Sequence, residues 1–225
     1  MRYTPDQRRT FMDTLQKYTF EDIEKAIGVS ANYLAALGLS TYTENLGGLY
    51  RGNLQTNVSN NYISFIEDYF PPCYKAVHNQ LSTKGGLYKV VRCGLVHEYF
   101  MKISSTVTVG SVNPLSCGIV YNTSNKPPLE FNVDRYFSDY KDAFKKYYDD
   151  LLGTAFKPPN AKLESRFDSA IGGMMESPFD SSLLPSSSGL TRASGASSTT
   201  MVLGKAILDI ITSPKYKNSI QAISP

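Results

Sequence analysis

The sequence predicts a mainly α-helical domain with a small β-hairpin insertion ahead of its last bundle helix. Three observations carry this. Apolar residues recur at helical spacing through most of the chain, most clearly in "DRYFSDYKDAFKKYYDDLLG", where Tyr136, Phe137, Tyr140, Phe144, Tyr147, Tyr148 and Leu151 follow the helical period. A β-branched stretch, "STVTVGS", "LSCGIVYN" and "LEFNVD", interrupts that pattern, with "NTSNKPP" reading as a turn. Later still, "SPFDSSLLPSSSGLTRASGASSTT" is rich in serine and poor in large apolar groups, too little to offset the entropy of ordering it. The expected division is therefore a bundle over 1–155 with its β insertion at about 104–133, a flexible Ser/Gly-rich linker over 156–200, and a short C-terminal amphipathic segment over 201–225.

The elements follow in order. "TPDQRRTFMDTLQKY" opens like a helix, with Thr4 as cap, Pro5 in the first turn and Asp6 at the positive end of the dipole. From Phe20 to about Tyr50 the composition is helical again. Thr19 and Asp22 resemble a capping box, Gly28 or Gly38 suits a break, and Gly52 suits a stop. "VSNNYISFIEDYF" is a third helix, ended by Pro71–Pro72, and "PPCYKAVHNQLS" a shorter fourth. "TKGG" is a turn, and Leu87 to about Met101 a fifth helix. The strands of the insertion make a small hairpin or a three-stranded flap, too small to stand alone. The tyrosine-rich helix closes the bundle, its aromatic stripe forming a core face and its charges a solvated one. "MVLGKAILDIITS" places Leu203, Ile207, Ile210 and Ile211 near one face, a segment suited to docking on this or another protein.

Composition narrows the function classes. The net charge of +3 permits contact with nucleic acid without requiring it. Cys73, Cys93 and Cys117 lack metal-ligand spacing, and His78 and His97 are the only histidines, so neither a metal site nor a cofactor is expected. Three sparse thiols fit a reducing compartment better than a disulfide framework. The N-terminal residues lack the apolar core of a signal peptide, and no run reaches the roughly 18 apolar residues of a membrane span. A soluble, cytoplasmic protein without membrane contact is the expectation.

One stretch concentrates the chemistry: "YKVVRCGLVHEYFMK", Tyr88 to Lys102. On a regular helix Arg92 and His97 stand about 140° apart around the axis. Leu87, Val91 and Leu95 make a core stripe, and Arg92 shares a face with Tyr88, Leu95 and Val96. Gly94 costs about 1 kcal/mol relative to alanine inside a helix. Its missing side chain therefore admits something, a neighbouring helix or a ligand. The segment "RCGLVH" resembles the R-x4-H form of the motif of the HEPN superfamily, the higher eukaryotes and prokaryotes nucleotide-binding domains. The order of elements is similar too over roughly 10–152: a helix like "YLAALGLSTYTENLGGL", the motif helix, a short β segment, then a closing tyrosine-rich helix.

The resemblance implies a helical bundle that dimerises. In active members it also implies metal-independent cleavage of RNA, as in toxins or defence effectors, with Arg92 and His97 as catalytic residues. An antitoxin or other protein would be a partner, recruited through the C-terminal tail. The position after the arginine, commonly asparagine in active members, is here Cys93, and some members only bind or scaffold. A non-catalytic module that binds nucleotide, RNA or a protein is the alternative.

The residue types suit the chemistry. A ribose 2′-OH attacking its phosphate needs a proton acceptor, a proton donor and a cation. Histidine titrates near neutrality, and arginine forks onto phosphate oxygens. One motif histidine per chain is short of an acid and a base, and a two-fold dimer would supply both. Three residues are expected in support. Glu44 sits on a face of small and apolar groups and wants a cation, either Arg92 or His97 or its neighbour Arg51. Glu98 and Tyr99 flank the motif, the first as a solvated or cleft-lining carboxylate, the second as a stacking or phosphate-donating tyrosine. His78 is expected at a surface or a helix end.

Overall fold

The computed structural model describes residues 2–98, 100–110 and 117–176. Among them are seven α-helices and one three-stranded sheet. The chain is mainly helical, as its periodicity requires. The expected segment over 201–225 and most of the expected linker lie outside the described residues.

Helix α1, Pro5–Gly28, begins at a reciprocal capping box between Thr4 and Gln7 and runs unbroken through Thr19. Thr19 is not a cap: it is buried and its hydroxyl donates to the Leu15 carbonyl at 2.8 Å. A threonine that bonds back to the preceding turn is compatible with a helix interior, and so the first two predicted helices divide later than its position suggested. The division falls at 29–31, where Ser30 takes a φ of 58°. Helix α2, Asn32–Arg51, follows and ends on left-handed Gly52. Gly38 lies inside α2, where a Cβ would meet the Ile23 side chain of α1 at 2.9 Å; it permits a close crossing rather than a break. Helices α3, Val58–Tyr69, and α4, Pro72–Gln80, follow as expected.

The predicted fifth helix is irregular. A π-helical segment, Tyr88–Cys93, runs into a single α turn, α5, Gly94–His97. The β insertion is the three-stranded alternative and not a lone hairpin. Strands β2, Ile119–Tyr121, and β3, Leu129–Asn132, pair antiparallel, and β1, Ser105–Thr108, pairs parallel on the other edge of β3. The order β1-β3-β2 puts β3 in the centre, with Leu129 and Phe131 buried inward. Helix α6, Val133–Leu152, starts directly after β3, capped by the Asn132 side chain on the Arg135 amide. Its stripe Tyr136, Tyr140, Phe144 and Tyr147 is fully enclosed, and Phe20 of α1 meets Phe137 and Phe144 edge-on.

Two further expectations are corrected. The bundle does not end near 155, and α6 is not its last helix: α7, Ala161–Glu176, buries Leu163, Phe167, Ala170 and Ile171 against the core. Phe167 packs edge-on to Phe11, with ring centroids 5.3 Å apart. The cysteines are not all thiols either. Cys73 of α4 and Cys117, just before β2, form a disulfide across 6.0 Å of Cα separation, leaving Cys93 free. Folding brings together two residues 44 positions apart, which no local spacing discloses. That bond removes the thiol argument for a reducing compartment. No helix among the described residues is long and apolar enough to cross a membrane.

Candidate functional site around Arg92 and His97

Arg92 leaves the π-helical segment toward α2, where Glu44 receives it. The Arg92 Nη2 donates to Glu44 Oε1 at 2.8 Å, and its Nε stands 2.5 Å from Oε2, a charge contact rather than an aligned hydrogen bond. Both side chains are largely enclosed, 13% and 12% exposed. Glu44 thus meets Arg92 and not its helical neighbour Arg51. Tyr88, one turn before Arg92, completes the arrangement. Its ring lies under the guanidinium, 5.6 Å from centroid to Cζ, and its hydroxyl acts electrostatically on the Glu44 carboxylate. The spacing of four residues is the signal in the sequence that pairs Tyr88 with Arg92. The Tyr88 ring in turn meets Tyr62 of α3 edge-on at 5.6 Å.

The electrostatics follow from this enclosure. Burial raises the pKa of Glu44 above the ordinary carboxylate value, while Arg92 and the Tyr88 hydroxyl pull it back. Burial, and then Glu44, raises that of Tyr88. The opposed influences on Glu44 mark a carboxylate withdrawn from water and compensated by one cation.

His97 is placed differently. It closes α5 and is exposed, and no hydrogen bond or ion pair engages its side chain among the described residues. Glu98 beside it is exposed and pairs with Lys102 at 2.8 Å. Tyr99 lies outside the described residues. The motif helix therefore presents an enclosed, anchored arginine and a solvent-facing histidine. Next to His97 are exposed apolar groups, Val96 and Phe100, the latter 60% exposed and edge-on to Tyr33 at 5.7 Å. Leu34 on α2 is exposed too, at 55%.

What Gly94 admits is the protein's own chain. A Cβ there would stand 2.6 Å from the Phe100 carbonyl oxygen and 2.8 Å from the Met101 Cα. The chain folds back over α5 at this point, and the Lys102 amide donates to the Val90 carbonyl at 3.0 Å. Carbonyls left open by the π register are natural acceptors for such a return strand.

No protein-family model, curated protein or solved structure matches the chain. The function must be argued from the site. No group of three or more His, Cys, Asp or Glu side chains among the described residues is arranged to hold a metal ion. His78, at the end of α4, serves the architecture: its Nδ1 accepts the Leu87 amide at 3.3 Å, steadying the turn into the π segment.

Proposed function

We propose that this chain is a HEPN-type, metal-independent endoribonuclease that works as a homodimer, with Arg92 and His97 acting on one RNA phosphodiester. The observation that carries the reading is the pairing of an anchored guanidinium with a solvent-facing imidazole on one short, irregular helix. π-helical turns are costly and concentrate at functional sites. Glu44 and Tyr88 fix the guanidinium before substrate arrives, and Nη1, the nitrogen that Glu44 does not meet, is the one directed to a non-bridging phosphate oxygen. His97 takes the proton of the ribose 2′-OH as that oxygen attacks phosphorus. The 5′-oxygen leaves with a proton from the second copy's His97, giving a 2′,3′-cyclic phosphate and a free 5′-hydroxyl. The exposed Val96, adjoining His97 in the chain, and Phe100, edge-on to Tyr33, offer apolar groups to that second copy.

A second reading has its own observation. Glu44 already occupies two of the three guanidinium nitrogens, as in a structural ion pair. A binding module without cleavage needs no more of Arg92 than that.

Incubation of the purified protein with RNA in EDTA separates the two. Cleavage with cyclic phosphate ends, abolished by both Arg92→Ala and His97→Ala, is the expected result. Cleavage that persists in His97→Ala overturns the catalytic assignment. No cleavage by the unaltered protein, with RNA retained on it, establishes the binding reading.

A further inference from the structure

The disulfide between Cys73 and Cys117 closes a covalent loop, and that loop contains the π-helical segment, α5, β1, Arg92 and His97. We infer that this bond is a redox staple that regulates the Arg92–His97 segment, holding it in place when oxidised and loosening it when reduced. The inference rests on reading that segment as the functional site.

The segment has little regular secondary structure of its own and is held by its packing. A six-residue π stretch and a four-residue α turn are too short to be stable alone. Its ties to the rest of the bundle, among the described residues, are the burial of Leu87, Val90, Val91 and Leu95, the bonds of Leu87 to His78 and Arg92 to Glu44, and, beyond β1's pairing with β3, those of Thr108 and Gly110 to Glu130, Asn132 and Asp134. The return of the chain over Gly94 ties the segment only to itself. A cross-link acts on such a segment by removing open conformations, and does so more for a long loop than for a short one. The staple also has a non-covalent companion. Tyr74, next to Cys73, accepts the amide of Gly118, next to Cys117, at 3.1 Å, and donates to Asp139 of α6 at 2.7 Å. That pair joins the loop ends reversibly rather than covalently, so reduction lets the loop open more often and loosens the segment without unfolding the bundle.

The two sulfurs differ in access. Cys117 is 6% exposed, whereas Cys73 in the first turn of α4 is half-buried. A dithiol reductant therefore attacks at the Cys73 sulfur. The S–S bond breaks, Cys117 leaves as thiolate, and a mixed disulfide forms at Cys73. The second thiol of the reductant then displaces Cys73, so that two electrons pass to the protein and the reductant becomes a disulfide.

The test uses the full chain. Thiol titration of the denatured, unreduced protein should find one free thiol, Cys93, and three after treatment with dithiothreitol. Amide exchange should then show protection over 88–98 falling at least tenfold on reduction, with α1 and α6 changing far less. The Cys73→Ser/Cys117→Ser double variant should exchange like the reduced protein and ignore dithiothreitol. Equal protection in both states, a uniform loss across α1 and α6, or a double variant that still responds to dithiothreitol would each overturn the inference. None of these readouts involves RNA. Absence of cleavage by the oxidised protein would overturn the proposed function and leave the exchange result standing.

Discussion

Arg8 and Arg92 both make forked contacts with carboxylates, and they are used differently. Arg8 in α1 is 7% exposed and meets two carboxylates of α7. Its Nε and Nη2 donate to Asp168 at 2.9 and 2.8 Å, and its Nη1 meets Glu164 at 2.5 Å. Every nitrogen is engaged, and Asp168 also accepts the Tyr3 amide at 3.3 Å. Arg92 is 13% exposed, has one carboxylate, and rests a face on an aromatic ring. Arg8 is consumed in joining two helices. Arg92 is positioned, with a nitrogen to spare. A saturated guanidinium reads as architecture, and a partly satisfied one beside an exposed histidine reads as a site.

That contrast can be broken at several points. Asp168→Ala should have the largest effect, about 3–5 kcal/mol of stability, because it takes the buried partner from two of the three nitrogens of a buried cation and leaves only the partly exposed Glu164. A thermal melt reads this as a fall of roughly 10 °C. Gly94→Ala comes next. The new methyl meets backbone at Phe100 and Met101, so despite alanine's better helix propensity it should cost about 1–3 kcal/mol in denaturant unfolding. Arg92→Ala should cost less than Asp168→Ala, about 1–2 kcal/mol, since Glu44 can take up a proton where Arg8 cannot lose one. If the two losses prove equal, the distinction between the arginines fails. Burial raises the folded-state pKa of Glu44, so the folded protein binds this proton more tightly than the unfolded chain does. Its contribution to stability is full below the ordinary carboxylate range and declines as pH rises through the raised value. Denaturation of Glu44→Gln against pH should show a shallower decline over that window. His97→Ala should be the quietest in stability, within about 0.5 kcal/mol of the unaltered protein.

What could be read along the chain was whatever is local and periodic. The α6 stripe was legible because one face is almost wholly aromatic and the other almost wholly charged. The Thr4 cap was legible because capping uses residues within one turn. Thr19 misled because a threonine bonding back to Leu15 looks, in one dimension, like a cap. Helix α7 was obscured by the serine-rich stretch after it, although Leu163, Phe167, Ala170 and Ile171 keep helical spacing and Asn160 caps them through the amides of Lys162 and Leu163. The pairing of Glu44 with Arg92 was accessible only as an argument about need, a carboxylate on an apolar face wanting a cation. Which cation answered depended on how α2 meets the π segment. Tyr88 could be placed on Arg92's face from their spacing, but the disulfide lay beyond reach, because it needed the approach of two distant stretches.

Helix α7 also decides where the chain can be cut. The boundary suggested by composition, near 155, would strip Phe167 from Phe11 and leave the Arg8 guanidinium enclosed with neither of its carboxylates. A shortened protein ending there would aggregate or fail to fold, and its lack of activity would be misread as evidence about Arg92 and His97. A cut placed after Glu176 keeps that joint intact, so the contributions of residues 1–176 and of the serine-rich stretch after them to any activity can be measured separately.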